Sequence, residues 1–266
     1  MTTPVFFLIA FFLTFSLVKI ADIISIQFFK KPLWVHFYWP KRKLTAHEKK
    51  ILRTYFPFYN KLSSRKKGFF EHRVATFIHL KNFVGRQGLV IDDEKEVRIA
   101  ATATLLTFGM RSYKLPILHH ILVYPSAFYS KINDEMHKGE FNPQMNTLVL
   151  SWEDFELGFA NTNDKINLGI HELTHVIHLN SMQYRTNSAR LFLSAFNEMP
   201  ALLLNDKIKA KLASSQYFRV YSKINKYEFL AVVVESFFER PQDFKREFPQ
   251  IYAKLKEMFN FSFRGY

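Results

Sequence analysis

The chain has 266 residues, of which 48% are hydrophobic and 30 are Phe; it can bury a substantial core as one large domain or two small ones, and it is not a disordered polypeptide. Lys and Arg number 37 against 23 Asp and Glu, and the formal net charge of +14 points to an anionic partner surface. Cysteine is absent, which excludes disulfides, Cys-ligated zinc and thiol catalysis and leaves His and carboxylates as metal-ligating side chains.

From Pro4 to Val18 only Thr14 and Ser16 are polar, and after Lys19 and Asp22 the apolar character resumes from Ile23 to Phe29. Residues 1–30 are expected to be a membrane anchor helix, with Lys19 snorkelling or pairing with Asp22 one turn on. A cleaved signal peptide is the main rival, weakened by the lack of a basic leading region and of a small-residue cleavage site; a buried helix is the third reading. The basic clusters Lys30-Lys31, Lys41-Arg42-Lys43, Lys49-Lys50 and Arg65-Lys66-Lys67 make residues 31–67 a basic juxtamembrane segment suited to lipid head groups. By the positive-inside rule they place the rest of a single-pass protein in the cytoplasm. There is no nucleic-acid motif, so no nucleic-acid partner is expected.

Within that segment, Thr45 and Glu48 form a capping-box pattern, followed by an apolar stripe of Ile51, Leu52, Tyr55 and Phe56. This helix lies either on the membrane surface or against the next domain. Residues 68–266 are read as that domain. Phe70, Val74, Phe77 and Ile78 recur at helical spacing, the Ala- and Leu-rich run from Val97 to Met110 is a second core helix, and Gly85 to Gly88 mark a break between them. Strands are expected at His120–Tyr124 and Asn146–Trp152, with a loop or bent hairpin over Tyr129–Asn142. A strand just before the next helix can form the edge of a cleft that binds an extended peptide.

That next helix, expected from Asn163 or Asp164 to about Leu179-Asn180, carries His171-Glu172-Leu173-Thr174-His175. On a helix, His171 and His175 share a face about 6 Å apart, so both imidazoles can reach one metal ion, with Glu172 beside them to take a proton from a metal-activated water. This is the arrangement of a zinc hydrolase. Composition alone would generate the pattern about 0.02 times in such a chain, so a coincidental pair of histidines is the weaker reading. His178 follows three residues after His175, but three imidazoles strung over two turns fit one ion poorly, and a supporting or structural role is expected for it.

A catalytic zinc normally takes a third protein ligand. Glu198 follows Asn197, as in the Asn-Glu pair of thermolysin-like enzymes. Glu228 and Glu235 lie on an almost wholly apolar helix, Tyr227–Glu239, where an unpaired carboxylate would be costly. Spacing alone does not choose among these carboxylates.

Taken together, Asn167-Leu168-Gly169-Ile170-His171-Glu172-Leu173-Thr174-His175, the strand Leu148–Trp152, Glu228–Val232 and Glu235–Pro241 resemble the Mlc titration factor A family of zinc peptidases, itself similar at its active site to the catalytic domain of anthrax lethal factor. The resemblance runs from about Gly68 to Phe261. It implies an α+β, mainly helical zincin-like metallopeptidase domain with a small sheet. It further implies Zn²⁺ bound by His171, His175 and Glu228, Glu172 as general base, Tyr221 stabilising the oxyanion, and Glu235 orienting a ligand. His178 stands where the family usually has Asp, and the N-terminal anchor is not typical of it, so the family's repressor partner is not carried over. The expected function is a zinc-dependent peptidase, aminopeptidase-like or regulatory, acting on a peptide or protein; the alternative is a zinc-binding regulator that binds a partner with little turnover.

Overall fold

The computed structural model describes residues 3–130, 134–160, 167–214 and 225–263. The chain divides into two compact units, Met1–Phe37 and Tyr38–Tyr266.

The first unit is built on helix α1 (Thr3–Phe29), whose large apolar side chains, from Val5 to Phe29, stand mostly exposed. The segment Pro4–Phe29, with a mean hydropathy of 2.2, is long and apolar enough to cross a membrane. Lys30 then adopts a left-handed conformation (φ 55°) and the chain doubles back. The Leu33 N–H donates to Asp22 Oδ1 at 3.0 Å, and Ser25 Oγ donates to the Lys31 carbonyl at 2.7 Å. Asp22 thus has a main-chain partner despite its apolar helix.

In the second unit, α2 (Ala46–Tyr55) begins with the expected capping box: Glu48 N–H donates to Thr45 Oγ1 at 3.2 Å and Thr45 N–H to Glu48 Oε2 at 2.6 Å. Its stripe turns inward, with Ile51, Leu52 and Phe56 buried, and α3 (Pro57–Lys61) adds Phe58 and Tyr59. These residues pack in the core of the body, which therefore starts near Tyr38 although the basic clusters continue to Lys67. Helix α4 (Ser64–Leu80) leads into β1 (Asn82–Gly85), a short strand among residues expected to form only a break. Helix α5 (Asp93–Thr107) starts at Asp92, whose side chain accepts the Lys95 N–H, and its first turn carries Asp93, Glu94 and Glu96 as the helix dipole favours.

Strand β2 (His120–Tyr124) falls on the strand-like run expected there, and residues between Phe128 and Asn142 include three strands: the hairpin β3 (Phe128–Ser130) and β4 (Glu135–His137), then β5 (Gly139–Asn142). With β6 (Thr147–Ser151) they complete a sheet ordered β1-β2-β6-β5. The first three strands are parallel; β5 is antiparallel to β6 and forms an edge, with Phe141 opposite Leu148. Parallel strands buried on both faces explain the apolar runs Ile121–Val123 and Leu148–Leu150.

Trp152 starts a helix, α6 (Trp152–Ala160), instead of ending a strand. Helix α7 (Leu168–Gln183) carries the histidine motif and lies against β5 and β6. Its cap is Asn167; Asn163 and Asp164 lie outside the described residues. Gly169 permits α7 to press onto α6, since a β-carbon there would stand 2.5 Å from the Phe155 ring. The body is completed by α8 (Asn187–Leu203), α9 (Asp206–Ser214), α10 (Lys226–Glu239), α11 (Pro241–Glu247) and α12 (Pro249–Met258), with α10 and α8 packed on α7 and α12 on α8. The fold is α+β and mainly helical with a small sheet, preceded by an apolar helix, as expected.

Candidate metal centre

The site is made where α7 and α10 cross. One turn of helix separates His171 from His175, and their rings stand 4.9 Å apart between centroids. The N-cap Asn225 fixes the start of α10 by accepting the N–H groups of Tyr227 and Glu228 at 2.9 and 3.0 Å, which points Glu228 at the two imidazoles. Glu228 Oε2 is 3.1 Å from His171 Nε2, and its Oε1 is 3.2 Å from His175 Nε2. The three residues offer ligand atoms that all lie within 4.8 Å of one another. Two imidazole nitrogens and a carboxylate are a donor set for a catalytic zinc, and the observed separations are close to the ~3.3 Å expected between ligands of a tetrahedral ion.

Charge couples the imidazoles to the carboxylates around them. Burial acts to discharge His171, but the carboxylates of Glu228 and Glu235 outweigh it and raise its pKa to about 10. The same imidazoles hold Glu228 well below the usual carboxylate range. A bound dication takes the place of those protons, because ligands bind it deprotonated.

Glu235, 2% exposed, sits on the far side of His171. His171 Nδ1–H donates to Glu235 Oε1 at 2.7 Å, which turns Nε2 toward Glu228 and His175. The other oxygen of Glu235 accepts the Asn167 N–H at 2.7 Å. Asn167 in turn accepts the Ile170 N–H at 3.0 Å and donates Nδ2–H to the Gly158 carbonyl at 3.0 Å, tying the start of α7 to α6. Burial raises the pKa of Glu235, and it does the same to Glu172, which lies against Gly139 of the edge strand.

Of the carboxylates left open by spacing, Glu228 joins the histidines, while Glu198 on α8 accepts from Lys254 Nζ at 2.6 Å and from Ser194 Oγ at 3.1 Å. His178 is not part of the triad; its buried ring packs on Phe196 and Tyr227, at 4.7 and 5.0 Å between centroids. Tyr221 lies outside the described residues. Two residues the motif did not single out shape the site: Gly139, read only as a loop marker, and Asn167, quoted in the resemblance but not as the cap.

An edge strand beside a helix bearing two histidines, with a carboxylate from a later helix closing the set, defines a metallopeptidase-like body. Comparison with known proteins agrees: residues 33–260 match the Peptidase M90 family, described as glucose-regulated metallo-peptidase M90, and the chain belongs to that family. It is 28% identical over 237 residues to slr2042 of Synechocystis, covering 82% of this chain and 85% of that one. It is 24% identical over 198 residues to Mlc titration factor A of Cronobacter sakazakii (67% and 73% of the two chains) and 25% identical over 197 residues to Mlc titration factor A of Serratia proteamaculans (67% and 74%).

Proposed function

We propose that the protein is a membrane-tethered, zinc-dependent peptidase of aminopeptidase-like or regulatory type. The observation that carries this reading is the convergence of His171, His175 and Glu228, with Glu172 next to His171 on the same helix. Zinc held by these three side chains would supply Lewis-acid chemistry, lowering the pKa of a water and polarising a peptide carbonyl. Glu172, whose burial favours the protonated form, takes the proton of the attacking water and returns it to the leaving amine. Glu235 holds His171 in the tautomer that leaves Nε2 free to bind. The edge strand β5 offers its main chain to an extended peptide. Tyr221 is the hydroxyl that the resemblance assigns to the developing oxyanion.

The test is a pair of variants assayed on chromogenic aminoacyl and short peptide substrates, with and without chelator. Glu172→Gln is expected to abolish hydrolysis and keep the metal, and Glu228→Ala to lose the metal. Wild-type activity in both overturns the assignment.

The name of the relatives, titration factors of Mlc, favours a second reading: a zinc-bearing regulator that captures a partner protein with little turnover. Stoichiometric zinc without hydrolysis of any substrate would select it.

For the N-terminal unit, the reading is a single pass by α1, residues 1–30, with the basic residues of 31–67 at anionic head groups and residues 68–266 carrying the chemistry in the cytoplasm. Protease protection of sealed vesicles tests the orientation.

A further inference from the structure

Beside the triad is a cavity of about 370 Å³, lined by His175 and Glu228 together with the apolar side chains of Phe141, Leu179, Met182 and Tyr227. Two of these are open to solvent, Met182 at 56% and Tyr227 at 37% exposure, so the slot is reachable from outside. His178 is set into the same lining and is only 4% exposed. Its ring rests on Phe196 and Tyr227, and among the described residues it makes no hydrogen bond. Burial, the leading cause, lowers its pKa to about 4, so near neutral pH it carries one N–H donor and one acceptor. His178, Met182 and Tyr227 also border a second opening of about 380 Å³ lined by Arg185, Arg190 and Lys226, so a cationic occupant would face like charge there.

The ring nitrogens of His178 are not sealed from solvent, so they can reach an occupant of the apolar slot that opens on the metal ligands. Phe141 belongs to β5, so a peptide paired with that strand would direct alternate side chains toward the slot. Building on the peptidase reading, we propose that this cavity is a substrate pocket for a tyrosine side chain flanking the scissile bond, with the phenol ring against Phe141, Leu179, Met182 and Tyr227 and its hydroxyl hydrogen-bonded to His178. Phenylalanine fills the slot but leaves the imidazole unpaired, and an acidic side chain meets Glu228.

The test uses two series of fluorogenic peptides, varied among Tyr, Phe, Leu, Ala and Asp on one side or the other of the cleaved bond, alongside calorimetric binding of N-acetyl-tyrosinamide and N-acetyl-phenylalaninamide to the zinc-loaded full chain. In one series Tyr is expected to exceed Phe by about tenfold in kcat/KM, the scale of one hydrogen bond. His178→Phe brings that ratio to about one and His178→Gln restores part of it. Met182→Trp, at an exposed position, lowers turnover of the Tyr peptide more than that of the Ala peptide. Equal use of Tyr and Phe by the wild type, or a ratio that His178→Phe leaves unchanged, overturns the pocket while the peptidase reading stands. Tighter binding of the tyrosine amide with no hydrolysis of any peptide overturns the peptidase reading and keeps the pocket. Equal binding of the two amides without turnover overturns both.

Discussion

A methyl group on Gly139 would stand 2.6 Å from Cγ and 2.7 Å from Oε1 of Glu172, so the edge strand presses bare backbone against the proposed general base. The same methyl would meet Leu168 Cδ1 at 2.7 Å, so Gly139→Ala forces the side chains of Glu172 and Leu168 to move, while His171, His175 and Glu228 are not among the groups it strikes. The expected result is a fall in kcat of about 10–100-fold, the usual cost of misplacing a catalytic group by about an ångström, with zinc content unchanged. Parallel metal analysis and steady-state kinetics check it; unaltered kcat would mean the carboxylate has room to shift.

Glu235 satisfies two donors at once, His171 Nδ1–H and the Asn167 N–H. The amide of Glu235→Gln has one acceptor oxygen and can serve only one of them, leaving a buried donor unpaired or an imidazole free to turn. Zinc affinity, measured by competition with a chromogenic chelator, is expected to weaken about tenfold. Unchanged affinity would show that the orientation of His171 is set by packing alone.

The parts of this site readable from sequence are those whose geometry is local. His171, Glu172 and His175 needed only the helical repeat, and Thr45 with Glu48 only a three-residue reciprocity. Glu228 could not be preferred to Glu198 on spacing, because the choice depends on which later helix packs against α7: α10 presents Glu228 there, whereas Glu198 is tied to Lys254. Gly139 was illegible for the same reason, since its role is a contact between a strand and a helix. In the fold, the long core helices follow from periodicity and β2 from its β-branched run ended by Pro125, while β1 and β5, four residues each, are too short to show a pattern. Trp152 opens α6 instead of closing the strand, because an aromatic residue suits strand or helix when both are buried.

Arg73 is fully buried, and its guanidinium fastens α4 to the end of α5: Nη1 donates to the Thr107 carbonyl at 2.6 Å, Nη2 to the Met110 carbonyl at 2.8 Å, and Nε to the Tyr38 hydroxyl at 2.6 Å. Thr107 is the last residue of α5, where a cation is favoured, and its carbonyl also accepts the Met110 N–H at 2.8 Å; the Met110 carbonyl lies beyond the helix end. Arg73→Met keeps the stem but removes the donor of the Met110 carbonyl, while the Thr107 carbonyl keeps the Met110 N–H, so a loss of about 1–3 kcal/mol in the stability of the body is expected. Denaturant unfolding in detergent measures it, and zinc affinity of the remaining folded protein should be that of the wild type. A loss well below about 1 kcal/mol would mean that water reaches the Met110 carbonyl.

His72 links acidity to the stability of the same region, well away from the metal ligands. Its Nδ1 accepts the Arg42 N–H at 2.8 Å, and its Nε2 is 3.2 Å from the Tyr113 hydroxyl. Burial, followed by the positive charges of Arg73, Arg42, Lys114 and Lys41, lowers its pKa from 6.5 to about 4. Between those values the unfolded chain binds the proton and the folded one does not, so stability is fully present above pH 6.5 and declines as pH falls toward 4. The contribution of this one group is about 2 kcal/mol over that interval. His72→Gln keeps an acceptor for the Arg42 N–H but has no proton to gain, so its unfolding free energy should fall less steeply than that of the wild type from pH 6.5 to 4. Parallel slopes for the two proteins would show that His72 becomes charged without cost in the folded state.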